Sequence, residues 1–209
     1  MHVKRFPLGA LWTNCYLIWD ENNDGFVVDP GGPAEAVEDF IRTNDIRIHW
    51  IVLTHGHSDH LGGIAQLRNL SENGIAIHTD DAECLTNPER NLSAYSDNPI
   101  ELASAERLLN DGDKLKIGKM TLDVIHTPGH TPGGICIIVS EGDTKFLLSG
   151  DTLFARSIGR SDLPGGDELV LTDSLRKLTV FPDSLRVFPG HGPETTIGEE
   201  RLYNPYWPM

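Results

Sequence analysis

The sequence predicts an α/β fold, a four-layer αββα sandwich in which two halves of the chain each contribute a β-sheet covered by helices. In the first half, short apolar strands alternate with segments of amphipathic helical spacing. The second half opens instead with four short strands separated by Gly, Pro or charged turns. Two covered sheets suggest the sandwich, although layer packing alone also allows other arrangements.

The first half is expected to begin with an antiparallel hairpin and to continue as alternating helices and strands. β-Branched and aromatic residues flank a cluster of Asn, Asp and Gly, which is typical of a hairpin. A proline then precedes apolar residues at i, i+3 and i+4, the spacing of an amphipathic helix. The predicted elements are the strands Thr13–Trp19 and Phe26–Asp29, the helix Pro33–Asn44, the strand His49–Thr54, the helix Leu61–Leu70 and the strand Ile75–Thr79.

The second half is expected to form an antiparallel sheet followed by a covering helix. Its strands are short and apolar, and each is bounded by turn residues. The predicted elements are strands around Leu115, Met120–Ile125, Ile135–Val139 and Phe146–Leu148, the helix Leu169–Phe181, the strand Leu185–Phe188, and a short helix or loop over Glu199–Tyr206.

Length and composition indicate one domain and exclude several functional classes. The 209 residues, 39% of them hydrophobic, contain no repeat or linker, so we expect a single domain over residues 1–209. A net charge of −14 argues against nucleic acid as a partner, because that binding needs clustered Lys and Arg. No apolar run approaches the roughly 20 residues that span a bilayer, and no signal peptide is recognisable. We therefore expect a cytoplasmic protein without a membrane partner; its oligomeric state stays open.

The strongest motif is T-H-G-H-S-D-H, over residues 54–60, where a buried strand is expected to end and a helix to begin. His55 and His57 are two residues apart, so in extended backbone their side chains project to the same side and can share a cation. Asp59 and His60 point elsewhere and can serve a second cation. A lone histidine would usually be a surface residue, but three histidines and an aspartate in six residues predict a metal site.

Three further side chains complete a candidate ligand set, each at the expected end of a strand and beside Gly or Pro. They are His130 in T-P-G-H-T-P-G-G, Asp151 in L-L-S-G-D-T-L-F and His191 in V-F-P-G-H-G-P. Glycine lets the backbone approach closely enough to present such side chains inward. Imidazoles and carboxylates without a thiolate suit Zn(II), Fe(II) or Mn(II), and the sequence does not choose among them.

These residues, in this order and with these separations, resemble the metallo-β-lactamase fold superfamily over almost the whole chain. Within it, G-D-T-L-F with S-I-G-R-S-D-L-P-G-G-D, and the tail T-I-G-E-E-R-L-Y-N-P-Y, resemble the glyoxalase II (hydroxyacylglutathione hydrolase) group, particularly its short bacterial members. The resemblance implies the αββα sandwich and two divalent metal ions, with zinc the first choice and iron or manganese as alternatives. It assigns His55, His57 and His130 to the first ion, Asp59, His60 and His191 to the second, and Asp151 to both.

The function that the resemblance implies is hydrolysis of a small-molecule thioester, foremost S-lactoylglutathione, by a hydroxide that bridges the two metal ions. Asp59 is expected to act in catalysis by orienting that hydroxide. Because a thiolate leaves readily, a site without an obvious side-chain acid suits thioesters. Arg160, and less directly Arg156, are the candidate contacts to the carboxylates of glutathione. A β-lactamase is disfavoured, since such enzymes lack a bridging aspartate at the position of Asp151 and are usually exported.

Two alternatives remain open from the sequence. Arg160 and Asp162 form an R-x-D pattern that resembles the persulfide dioxygenases of the same superfamily, which use one iron held by two histidines and an aspartate. The second alternative is a metal-stabilised binding protein without catalysis. That alternative predicts a gap in the ligand set, and the sequence contains none.

Overall fold

Two six-stranded β-sheets form the centre of the protein, seen in a computed structural model that describes residues 1–208. The first sheet contains, in order across it, β1 (His2–Leu8), β2 (Thr13–Trp19), β3 (Asp24–Val28), β4 (Arg47–Val52), β5 (Ile75–His78) and β6 (Arg107–Leu109). The second contains, in order across it, β14 (Thr195–Thr196), β13 (Arg186–Pro189), β10 (Thr144–Gly150), β9 (Ile135–Glu141), β8 (Met120–His126) and β7 (Lys114–Ile117). A separate short hairpin pairs β11 (Leu153–Phe154) with β12 (Ser157–Ile158).

The helices are short and lie outside the two sheets. They are α1 (Glu35–Thr43), α2 (Ser58–Leu61), α3 (Ile64–Leu67), α4 (Glu168–Leu178) and α5 (Ile197–Tyr203), with 3-10 turns over Arg68–Leu70 and Thr79–Leu85. Within residues 1–208, none of these helices has the length and apolar character needed to cross a bilayer.

Three apolar cores hold the layers together and confirm the predicted αββα sandwich. The core between the sheets joins Tyr16 and Phe26 of the first sheet to Phe146 and Phe188 of the second, and the Tyr16 and Phe188 rings meet edge to face at 5.6 Å. A second core packs α1 and α3 on the first sheet, and a third packs α4 and α5 on the second. The second half of β4 is covered on both faces, since Val52 packs in the core between the sheets and Ile51 in the core under the helices.

The carboxyl ends of parallel strands position the functional residues. In the first sheet β3 runs parallel to β4, and in the second β10 runs parallel to β13. Parallel neighbours end at the same edge of a sheet. Asp29, His55, Asp151 and His191 each follow one of these four strands, so they meet at one end of the sandwich.

The structure differs from the sequence prediction at five strands and one helix. The strands that were not predicted are β1 and β6 at the edges of the first sheet, β14 at the edge of the second, and β11 and β12 of the short hairpin. The predicted helix Leu61–Leu70 is wrong as one element, because α2 begins at Ser58 and the chain breaks into short segments after Leu61. The break lies at a close approach of backbones, since a side chain at Gly63 would place its Cβ 2.4 Å from the Gly32 carbonyl oxygen.

Candidate metal centre

The histidine-rich motif lies in the loop that leaves β4 and enters α2. Thr54 anchors the start of this loop, because its amide and hydroxyl donate to the two carboxylate oxygens of Asp29 at 2.8 and 2.6 Å. His57 precedes α2 in an extended conformation, with φ −71° and ψ 146°. The rings of His55 and His57 consequently lie side by side, with centroids 4.8 Å apart.

His130 joins these two imidazoles from the second sheet, in the loop after β8. Its Nε2 lies 2.9 Å from Nδ1 of His57, and its ring centroid is 4.7 Å from that of His55. One nitrogen from each of the three rings lies within 4.8 Å of the other two. This spacing suits three ligands of one cation, since each nitrogen would lie about 2.0–2.1 Å from a bound zinc ion.

A second cluster contains Asp59, His60 and His191. His191 Nε2 lies 3.2 Å from Asp59 Oδ2, and His60 Nε2 lies 3.6 Å from the same oxygen. Their candidate ligand atoms again lie within 4.8 Å of one another. Asp59 and His60 come from the first turn of α2 and His191 follows β13, so this cluster also joins both sheets.

Asp151 lies between the two clusters. Its Oδ1 is 3.5 Å from His60 Nε2, while its Oδ2 is 3.5 Å from both His130 Nε2 and His191 Nε2. The carboxylate therefore faces ligand atoms of the first cluster and of the second. Close backbone contacts hold it there: a Cβ at Gly190 would lie 2.2 Å from Asp151 Oδ1, and one at Gly159 would lie 1.9 Å from the Asp151 carbonyl oxygen.

Several buried polar atoms in the centre have no partner in the protein. Within residues 1–208, His55 Nε2, His60 Nε2 and Asp151 Oδ1 form no hydrogen bond. Buried polar groups are normally paired, and leaving one unpaired costs about 1–3 kcal/mol. Cations supply the missing partners, and imidazole with carboxylate is a donor set that divalent metals accept. The residues present fit a metal centre.

The buried histidines of the first cluster are held in the form that binds metal. Burial, with the neighbouring His60 and His130, lowers the pKa of His55 well below its usual value. Burial and His130 lower the pKa of His57 to about 3. Both imidazoles are therefore neutral at pH 7, with a lone pair free for a cation.

The second cluster holds a proton in the absence of metal. Burial alone would lower the pKa of His60, but the surrounding carboxylates, Asp29 foremost, raise it to about 10. Burial likewise opposes ionisation of Asp59, but His60 and His191 outweigh it and hold the pKa of that carboxyl well below its usual range. A cation held here by His60 would take the place of its proton, so binding would release that proton to solvent.

Backbone and side-chain acceptors fix the orientation of the candidate ligands. His130 Nδ1 donates to the Arg160 carbonyl at 2.7 Å, and His191 Nδ1 donates to the Leu11 carbonyl at 3.1 Å. His60 Nδ1 lies 3.0 Å from Asp29 Oδ2. Each contact leaves Nε2 of the ring directed into the centre, as the hydrogen-bond partners of metal-bound histidines do.

Asp81 supports the centre and was missed in the sequence. It is 1% exposed, and its carboxylate accepts from Gly56 N, Thr131 Oγ1 and Gly133 N at 2.7–2.8 Å. These bonds join the loop of His57 to the loop of His130. No local pattern marks Asp81, whereas Asp29, the other missed carboxylate, ends the predicted strand F-V-V-D.

An open cleft of about 330 Å³ gives access to the centre. Leu11, Phe154 and Leu163 form its apolar walls, and the guanidinium side chain of Arg160 also lines it. Arg160 is already paired, because its Nε and Nη2 donate to the Asp162 carboxylate at 2.7 and 2.8 Å.

The second arginine named from the sequence lies elsewhere. The structure does not bring Arg156 into the cleft, because its guanidinium stacks over Tyr203 at 5.5 Å and lines a separate groove with Arg186 and Glu194. By contrast, the seven predicted metal-site side chains all converge on the centre. Sequence separation alone did not reveal that Arg156 and Arg160 line different pockets.

The comparison with known families agrees with this geometry. Residues 8–191 match the family model described as the Metallo-beta-lactamase superfamily. The chain belongs to the metallo-beta-lactamase superfamily. Another superfamily protein, Hydroxyacylglutathione hydrolase GloC of Haemophilus influenzae, is 35% identical to this chain over 211 residues, covering 99% of this chain and 98% of GloC.

Two solved structures of the superfamily are similar over essentially the whole chain. BLEG-1, described as a B3 metallo-beta-lactamase, is 36% identical with a TM-score of 0.91 and covers 100% of both chains. TTHA1623, solved in a di-iron-bound form, is 34% identical with a TM-score of 0.84 and covers 98% of this chain and 100% of its own. Both structures share the fold of this chain.

Proposed function

We propose that this protein is a binuclear metal-dependent hydrolase of thioesters, acting on hydroxyacylglutathiones such as S-lactoylglutathione. The observation that carries the proposal is the position of Asp151, 3.5 Å from candidate ligands of both clusters. We assign His55, His57 and His130 to the first metal ion, Asp59, His60 and His191 to the second, and Asp151 to both. The similarity to GloC supports hydroxyacylglutathione as the substrate.

The chemistry requires a nucleophile at neutral pH and a polarised carbonyl. When bound, two divalent cations lower the pKa of a water molecule to about 7 and polarise the substrate carbonyl. Asp59 stays ionised because of its lowered pKa, and Thr13 Oγ1 donates to its Oδ2 at 3.2 Å. Its carboxylate can therefore accept a hydrogen bond from the attacking water and orient it. The thiolate then leaves without a protein acid.

Zinc is our first choice of metal, with iron or manganese as alternatives. Nitrogen and carboxylate ligands accept all three ions. The di-iron-bound form of the similar TTHA1623 keeps iron as a candidate for this chain.

Arg160 is proposed to hold a carboxylate of the thiol half of the substrate, in competition with Asp162. We expect Arg160→Ala to raise KM for S-lactoylglutathione by about tenfold while changing kcat much less, since the contact stabilises ground state and transition state alike. Asp162→Asn should lower KM, because it frees the guanidinium. Steady-state kinetics measure both effects.

A matched control for Arg160 is Arg176→Ala on α4, where an exposed arginine pairs with Asp173 away from the cleft. KM and kcat should keep their wild-type values in this variant. If KM for the glutathione thioester is the same in Arg160→Ala as in the wild type, Arg160 does not bind the substrate.

The decisive experiment for the function is metal content per chain, by elemental analysis on protein purified without chelator, paired with activity on the same sample. Close to two metals with S-lactoylglutathione hydrolysis supports the proposal. Since BLEG-1 is described as a metallo-beta-lactamase, a chromogenic cephalosporin is assayed alongside. Cleavage of the cephalosporin without thioester hydrolysis would overturn the choice of substrate.

A persulfide dioxygenase is the second candidate, favoured by one observation. Arg160 and Asp162 do form a two-bond ion pair at the cleft, as a functional R-x-D pair would. This candidate predicts one iron per chain and oxygen uptake with glutathione persulfide. That result without hydrolysis would replace the hydrolase proposal.

A further inference from the structure

Two polar side chains of the C-terminal helix are buried far from the metal centre. Glu200, on α5, is 0% exposed, and Asn204, the residue directly after α5, is 7% exposed. We refer to them as the C-terminal pair. Neither residue touches a candidate metal ligand, and a buried carboxylate is costly unless its oxygens are paired. The contacts of the C-terminal pair therefore indicate what it holds.

The C-terminal pair binds the backbone of the β11–β12 hairpin. Glu200 Oε2 accepts from the Arg156 amide at 2.7 Å and from Asn204 Nδ2 at 2.8 Å, while Oε1 accepts from Thr195 Oγ1 at 2.6 Å. Asn204 Nδ2 also donates to the Ser157 carbonyl at 3.0 Å. All of these partners are neutral, so the carboxylate acts as a hydrogen-bond acceptor and not as half of a salt bridge.

The hairpin needs such support at its turn. Arg156 has φ +60°, the left-handed region that residues other than glycine seldom occupy. Its amide donates to Glu200, which holds the turn in this conformation. Phe154, on the first strand of the hairpin, forms part of the cleft wall.

The segment that leaves the hairpin contacts the metal centre directly. Gly159 packs against the Asp151 backbone, and the carbonyl of Arg160 accepts the Nδ1 proton of His130 at 2.7 Å. A chain of contacts thus runs from Glu200 through the Arg156 amide and the hairpin to Arg160 and His130. Hydrogen bonds to the outer nitrogen fix the ring of a metal-bound histidine. This series of contacts can therefore set the orientation of His130.

We infer that Glu200 and Asn204 are positioning residues, which fix the β11–β12 hairpin and through it the ring of His130 and the cleft wall at Phe154. The inference rests on the proposed role of His130 as a ligand of the first metal. The C-terminal pair therefore contributes to the metal affinity of a site that neither Glu200 nor Asn204 enters.

The test compares Glu200→Gln with Glu199→Gln, the same substitution at the exposed neighbour in α5. Gln keeps the size of Glu but presents one acceptor oxygen in place of two and carries no charge, so the bonds to the hairpin weaken. In metal-free protein, amide hydrogen exchange over residues 154–160 should be faster in Glu200→Gln and unchanged in Glu199→Gln. In Glu200→Gln, Zn²⁺ titration should show about tenfold weaker binding of one ion. This is the lower end of the range for substitutions of residues that support metal ligands.

Asn204→Ala is the second variant, because Glu200→Gln alone can fail to fold. It removes the contact to the Ser157 carbonyl and should show the same two effects. The inference is overturned if both variants fold but keep the wild-type rate of amide hydrogen exchange over residues 154–160 and the wild-type affinity for Zn²⁺. If the wild type binds none of Zn²⁺, Fe²⁺ and Mn²⁺, the proposed function fails, whereas amide exchange in the metal-free protein still reports on the C-terminal pair.

Discussion

Asp151→Ala is expected to remove metal and turnover together. Its carboxylate faces ligand atoms of both clusters at 3.5 Å. Without it, each cation loses a ligand and nothing holds the two ions at a fixed separation. We expect bound metal to fall below two per chain and kcat/KM for the thioester to fall more than about a hundredfold.

Elemental analysis and steady-state kinetics on one preparation measure both quantities. Asp143→Ala, in the exposed turn between β9 and β10, is the matched control and should keep metal and activity. Asp151→Asn adds a finer test, because its single oxygen acceptor should support one ion better than two. Full activity with two metals bound in Asp151→Ala would show that Asp151 is not the bridge.

Asp81→Ala is expected to destabilise the fold strongly, although Asp81 is not one of the candidate ligands. It would leave three donors without an acceptor, namely Gly56 N, Gly133 N and Thr131 Oγ1, in a buried region. Unsatisfied buried groups cost about 1–3 kcal/mol each and are partly relieved by relaxation, so we expect the free energy of unfolding to fall by about 3–5 kcal/mol. Metal binding should weaken as well, since the loops of His57 and His130 separate.

Chemical denaturation of the metal-free protein measures the loss of stability apart from the loss of metal. Asp80→Ala is the control, because the adjacent carboxylate is half exposed and should change stability by less than about 0.5 kcal/mol. Equal unfolding free energies for the two variants would rule out a structural role for Asp81.

The ligand residues were predictable from the sequence because their chemistry is local. H-x-H-x-D-H places four donors within six residues, and Gly and Pro mark the positions of His130, Asp151 and His191 at strand ends. The strand ends themselves are set by apolar runs that must be buried. A short segment of the sequence therefore contains both the buried strand and the candidate metal ligand at its end.

The supporting residues were not predictable, because their partners are distant in sequence. Asp81 binds Gly56, 25 residues away, and Gly133, 52 residues away. Only the packing of the two sheets brings these amides together. Glu200 is similar: its helix was expected as a short helix or loop, but nothing local indicates that its carboxylate is buried against Arg156.

The edge strand β1 was missed for another reason. His2–Leu8 mixes charged residues with few apolar ones and contains Pro7, which is tolerated because an edge strand has a free side. All seven residues pair with β2. The strand therefore forms through backbone pairing with its neighbour, and the pattern of its side chains does not predict it.

The ligand set divides between the two sheets, four side chains from the first and three from the second. A bound ion consequently crosslinks segments as distant as His57 and His130, 73 residues apart in the chain. A ligand that binds only the folded state adds about 2.7 kcal/mol to the free energy of unfolding when its free concentration is a hundred times its Kd. When metal is scarce, newly made metal-free protein would thus be less stable than metal-bound protein and more open to proteolysis. The abundance of this protein should therefore follow the availability of its metal.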